Sequence, residues 1–189
     1  EKPGELDTEE LELLRFLLKY CKIPLFEQEE DDGNLPGIIS VGNFIISQLT
    51  ESEIVSKKPV FQTIFREIAE RLDDPDFNPG KYFLFHPDKI VSQTASSLLA
   101  EKWVESKRWK KAGAFTEKES DALDWLVPRI VNEYKLRKIK EMHLRLEEEI
   151  GSLQTTGDEN RLFDLLAKIH NLKKLEKFLS DKLGNRTIN

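Results

Sequence analysis

The sequence predicts an all-α protein, a helical bundle over residues 1–134 followed by a long helical hairpin over 135–189 that shares one helix with the bundle. Three observations carry this. Apolar residues recur at three- and four-residue steps through Leu123, Leu126, Val127, Ile130 and Tyr134, then Ile139, Met142, Leu146 and Ile150. The pattern resumes at Leu162, Leu165, Leu166, Ile169, Leu172, Leu179 and Leu183, so each set lies on one face of a 3.6-period helix. Capping boxes stand at Asp7–Glu10, Thr116–Glu119 and Thr156–Glu159, where a side-chain oxygen accepts from a free backbone N–H and a Glu reaches back to the cap.

The first helix runs from about Thr8 to Cys21 on Leu11, Leu14, Leu18 and Phe16, and Ile23-Pro24 ends it. Glu27 to Asn34 is an acidic loop. Ile38 to Leu49 is rich in Ile and Val and suits strand or helix, and its helical neighbourhood favours helix. Lys58-Pro59 opens a helix on Phe61, Ile64, Phe65, Ile68 and Leu72. The Asp/Pro/Gly stretch 73–80 reads as a loop. Tyr82 to Phe85 is a short aromatic run, a helical turn or a plug into the core. From Pro87 a helix is expected to reach about Trp109, with 110–115 linking to the hairpin. Gly151 and Gly157 mark the hairpin turn, and Gly184 stops the last helix.

The long helix starting after Thr116 changes face. At roughly 100° per residue, Ile139 to Leu153 centre about 120° from Leu123 to Tyr134, far more than the ~20° per heptad by which a straight helix drifts. One helix is therefore expected to serve two cores, with Pro128 kinking its first half.

With 34% charged residues, 9% aromatics and a mean hydropathy of −0.50, the chain fits a soluble globular class, and no apolar run approaches the ~20 residues of a membrane span. Its one cysteine, Cys21, excludes an internal disulfide framework and suits a reducing cytoplasm. A single Met, not at the start, points to a piece of a longer protein. The net charge of −6 is uneven: residues 1–80 hold 18 acidic and 8 basic side chains, and 81–189 hold 17 and 21. That excess of four cations is weak beside a nucleic-acid-binding domain.

No intrinsic catalytic or metal centre emerges. His86, His143 and His170 are scattered, one Cys cannot form a zinc site of Cys pairs, and no phosphate-binding glycine motif or GxSxG occurs. His86-Pro87-Asp88 matches the cochaperone HPD tripeptide but lacks the basic helix before it. It reads as helix initiation, with Pro87 at the first helical position. Lys102, Trp103, Arg108 and Trp109 form an aromatic–basic cluster that suits base stacking or burial under the hairpin. Phe163, Leu175 and Phe178 fall off the packed face of the last helix. A two-helix hairpin has one seam, so these side chains meet something else.

The segments Glu12–Tyr20 (ELLRFLLKY), His86–Asp88 opening a helix that reaches Leu98–Trp103 (LLAEKW), and Leu183–Ile188 (LGNRTI) resemble the C-terminal helicase-binding domain of DnaG-type bacterial DNA primases. The resemblance covers nearly the whole chain. It implies a non-catalytic domain that docks a primase on the N-terminal domain of the hexameric replicative helicase for primer synthesis in DNA replication. The partner-binding residues would be Phe163, Leu175, Phe178, Lys182, Asn185 and Arg186. No cofactor is expected in these residues. Zinc, a divalent metal such as magnesium, and contact with single-stranded DNA would belong to the parent chain. The rival readings are the related N-terminal domain of a replicative helicase and a nucleic-acid-binding helical module.

Overall fold

The computed structural model describes residues 5–28, 37–100, 119–153 and 159–184, and it is built overwhelmingly of helices. The chain divides into two compact units, Glu1–Val131 and Asn132–Asn189.

In the first unit α1 (Thr8–Tyr20) is the hub. Its expected capping box is present: the Asp7 carboxylate accepts from the Glu10 N–H, and Glu10 accepts from the Asp7 N–H, both at 2.8 Å. Helices α2 (Val41–Glu51), α3 (Pro59–Glu70), α4 (Pro79–Leu84) and α5 (Lys89–Leu99) all pack on α1. Residues Leu13 to Leu18 are consequently all buried, at most 3% exposed. The expected single apolar face was too narrow, because Leu13 and Leu17 are as deeply buried as Leu14 and Leu18. A helix packed against four others buries more than one narrow stripe and leaves only positions such as Thr8 and Lys19 exposed.

The stretch around Ile38 departs from the helical expectation. Strands β1 (Pro24–Gln28) and β2 (Gly37–Ser40) pair antiparallel, with Phe26 opposite Ile39 and Glu27 opposite Ile38. So Glu27 belongs to a strand rather than a loop, and Ile38 and Ile39 precede the helix. The β-branched side chains suit the pleat, and the pairing needs both segments side by side. Ser40 then caps α2 by accepting from the Asn43 N–H at 3.2 Å. The ring of Phe44 on α2 meets Phe26 edge-on, with centroids 5.6 Å apart.

Helix α3 follows expectation, with Pro59 in its first turn and Phe61, Ile64, Phe65 and Ile68 buried. The aromatic run is both a helical turn and a plug, since α4 is short and Phe83 within it is fully buried. At α5 the cap is Asp88, whose carboxylate accepts from the Ile90 and Val91 N–H groups. Pro87 therefore precedes the cap instead of occupying the first helical position. The helix ends at Leu99, where Ala100 turns extended, ten residues short of the expected end. Lys102, Trp103, Arg108, Trp109 and Thr116 lie outside the described residues.

A 3₁₀ turn at Glu119–Ala122 leads into α6 (Leu123–Leu153), whose Leu123, Leu126, Val127, Ile130 and Val131 are buried. Pro128 lies inside this helix. The Thr116 side of the expected capping box lies outside the described residues, and the Glu119 carboxylate reaches α1. Arg15 donates to both its oxygens, at 2.5 and 2.8 Å, and the Tyr20 hydroxyl donates at 2.5 Å. Burial by itself would raise the Glu119 pKa. The hydrogen bonds from Arg15 and Tyr20 outweigh it and hold the carboxyl at about 2.

The second unit holds the rest of α6 and α7 (Glu159–Lys182), which run antiparallel. Lys140 and His143 on α6 face Glu176 on α7 at 3.9 and 3.6 Å, and Arg161 near the start of α7 reaches Glu149 at 2.5 Å. Buried positions are Tyr134, Leu136 and Ile139 on α6, and Leu165, Ile169 and Leu179 on α7. Leu166 departs from the expected packed face and is 47% exposed. Gly151 does not end its helix, which continues to Leu153, and Gly157 lies outside the described residues. Gly184 adopts φ +71°, the left-handed stop that glycine takes without a Cβ penalty.

Two predictions follow from the bundle. The Glu119 contribution is present at neutral pH, because its folded pKa lies below that of an unfolded carboxylate, and it is lost as pH falls from about 4.5 towards 2. Glu119→Gln should lower unfolding free energy at pH 7 by on the order of 2 kcal/mol, with the difference from wild type shrinking across that window in urea titrations. At Gly42, an added Cβ would stand 2.5 Å from Cys21 Sγ and 2.8 Å from Leu72 Cδ1. Gly42→Ala should destabilise by about 1–2 kcal/mol in thermal unfolding. Overpacking costs ~1–3 kcal/mol against the ~1 kcal/mol that alanine gains in a helix.

Candidate functional site

Four large apolar side chains on α7 face solvent: Phe163 (70% exposed), Leu166, Leu175 (49%) and Phe178 (54%). They are exposed because of helix geometry. Leu165, Ile169, Leu172 and Leu179 cluster within about 80° of one another around the axis, and Phe163 and Phe178 point away from that sector. A hairpin of two helices offers no second seam to cover them.

The six residues expected to bind a partner divide as follows. Leu175 and Phe178 sit one turn apart on neighbouring azimuths, and Lys182 joins them, its Nζ 4.7 Å from the centre of the Phe178 ring. The cation on the ring face keeps this edge both apolar and positively charged. Phe163 belongs to the other end of α7, about 22 Å away along the axis at 1.5 Å per residue, next to Leu166. Asn185 and Arg186 lie outside the described residues. Sequence reasoning passed over Leu166 and Leu144, the latter 60% exposed on α6. Azimuth alone places Leu144 opposite the α6 seam residues, so that signal was present.

The other constellations are structural in their contacts. His86 Nδ1 accepts from the Asp88 N–H at 3.1 Å, and its Nε2 lies 3.4 Å from Glu67. Glu67 also accepts from the Tyr82 hydroxyl at 3.0 Å, so one carboxylate ties α3 to α4 and to the turn before α5. Burial and this hydrogen bond raise the Tyr82 pKa. The concavity beside it is lined by Arg71, Asp74, Asp76, Lys81 and His86 among others, a balanced set of charges that favours neither sign of ligand. His143 is half-buried between Glu147 and Glu176, while His170 is exposed. Among the described residues no group of three or more His, Cys, Asp or Glu could hold a metal ion. Burial pushes the Cys21 thiol up to about 11, against a smaller lowering by Lys22, so it is no thiolate nucleophile at neutral pH. No helix among the described residues is long and apolar enough to cross a membrane.

A family model described as a domain of unknown function, DUF8430, matches residues 1–187. The chain belongs to that family. The match takes in both units of this DUF8430 chain, the bundle and the helical pair, rather than either alone. No curated protein and no solved structure matches it.

In this DUF8430 chain, the exposed aromatics of α7 should be dispensable for folding. Phe163→Ala and Phe178→Ala should each shift the urea-unfolding free energy by about 0.5 kcal/mol or less, whereas Ile139→Ala, removing a buried side chain, should cost about 2–4 kcal/mol.

Proposed function

We propose that this domain is a non-catalytic docking module, the part of a DnaG-type primase that engages the N-terminal domain of the hexameric replicative helicase in the cytoplasm. The observation that carries the reading is the solvent-facing apolar edge of α7, Leu175 and Phe178 with Lys182 on the ring. Side chains of this size are costly to leave in water, where each fully buried one would gain about 1.5–3 kcal/mol. Aromatic anchors beside a cation are the composition of an interface core. The resemblance at Glu12–Tyr20, Leu98–Trp103 and Leu183–Ile188 supplies the partner's name, and the order of a bundle followed by a helical pair agrees with it.

In this reading the domain contributes position, not chemistry. It would hold a parent polymerase near the strand that the helicase exposes, raising the local concentration of the primer-forming site through a tethered contact. Zinc, the divalent metal and the contact with single-stranded DNA stay with the rest of the parent chain.

Titration calorimetry of the full chain with a purified helicase N-terminal domain tests this. Wild type should bind, and Phe178→Ala should weaken binding by about 1–3 kcal/mol while leaving the unfolding midpoint in place. Absence of binding by wild type, or steeply salt-dependent affinity for DNA in its place, would overturn the reading in favour of a nucleic-acid module.

A further inference from the structure

Beside the exposed edge of α7 lies a groove of about 450 Å³ between the two helices of the second unit, lined by Met142, Arg145 and Leu146 of α6 and by Lys168, Asn171 and Leu172 of α7. Its floor is apolar, from Met142, Leu146 and Leu172, which remain half-buried in the pair. Its rims are basic: Arg145 on one helix and Lys168 on the other are both exposed, and no carboxylate lines the groove. Neither cation has an ion pair among the described residues, whereas Arg137, Lys138 and Arg161 in the same unit are each matched with a glutamate. The floor continues outward. Leu172, Leu175 and Phe178 form an i, i+3, i+6 row that winds about 60° per step from the groove onto the open face, ending at Lys182.

We propose that this groove receives an amphipathic α-helix of a partner protein whose apolar stripe is flanked by Asp and Glu. The apolar row selects a matching stripe, and the two rim cations select acidic flanks, since like charges opposite them would be repelled. A helix fits better than an extended peptide. Both walls are helices whose backbone groups are already bonded internally, so an extended guest would leave its own N–H and C=O groups unmatched. A helix brings them satisfied. Nucleic acid is disfavoured, because the groove has an aliphatic floor with no aromatic platform and only two cations. From Lys168 to Lys182 the wall is about 21 Å long, enough for roughly four turns of guest helix. The inference rests on the docking reading, in that the helicase N-terminal domain would supply the acidic helix.

The test uses the full chain and two synthetic 16-residue helical peptides with identical leucine stripes, one flanked by Glu and one by Lys, followed by fluorescence anisotropy. Wild type should bind the Glu peptide at least tenfold more tightly. Arg145→Glu/Lys168→Glu, a pair of exposed positions whose far-UV dichroism should match wild type, should lose that binding tenfold or more and reverse the preference. Equal affinity of wild type for both peptides overturns the proposal. So does concentration-dependent dimerisation in sedimentation that Phe178→Ala abolishes, which would make a second copy the occupant. Calorimetry with the helicase N-terminal domain separates the two readings. Capture by wild type and by the double variant alike overturns the groove while leaving helicase docking standing. Glu-peptide binding without helicase capture overturns the helicase and leaves the groove.

Discussion

The bundle depends on one constraint: α1 packs against four helices and carries an arginine in the middle of its buried run. Arg15 is 3% exposed, and a guanidinium at that depth needs a carboxylate to offset its lost hydration. The match comes from Glu119, about a hundred residues later, which takes two bonds from Arg15 and a third from Tyr20. Glu12 adds a contact at 2.8 Å from within α1 itself. The pair thus fixes where the chain returns to the bundle at the start of α6. A hydrophobic residue at position 15 could fill the same space, but it would not discriminate between this return point and another. The arginine does, because a carboxylate at that place adds two bonds that Glu12 does not supply.

Other joins in the bundle use the same economy of polar groups. Lys58 before α3 reaches the buried Glu10 of the α1 capping box at 2.7 Å, so the cap and the α3 entry are tied together. The end of α1 binds the start of α2 through backbone bonds from Val41 to the Ile23 carbonyl and from Gly42 to the Cys21 carbonyl, each at 2.9 Å. That close approach is what excludes a side chain at Gly42. Each junction consists of a few directional bonds laid over a nonspecific apolar core, which is how a set of short helices acquires one arrangement.

The second unit follows the opposite logic. Two helices bury one seam and leave most of their circumference in water, so apolar residues beyond the seam stay uncovered unless something binds them. Leu175 and Phe178 stay uncovered, and the neighbouring groove joins an apolar floor to two cations that have no ion pair among the described residues. Within the hairpin, glutamates pair with Lys140 and Arg161, and Glu176 lies beside His143. The bundle uses its polar groups to specify itself. The hairpin leaves part of its polar and apolar surface open to solvent.

The sequence by itself determined the helical class, the α1 cap at Asp7–Glu10, the core of α3, the stop at Gly184 and the exposure of Phe163, Leu175 and Phe178. Each is a local property, set by periodicity, by a cap three residues away, or by azimuth on one helix. Tertiary structure decided the rest. The strands at Pro24–Gln28 and Gly37–Ser40 exist because two segments pair, and neither alone distinguishes strand from helix. Leu13 and Leu17 are buried because four helices pack on α1, which no pattern within α1 records. Glu119 bonds Arg15 and Tyr20 across about a hundred residues, a pairing that no local pattern records. The groove at Met142, Leu146 and Leu172 needs both helices side by side in one register, so it belongs to neither sequence segment taken alone.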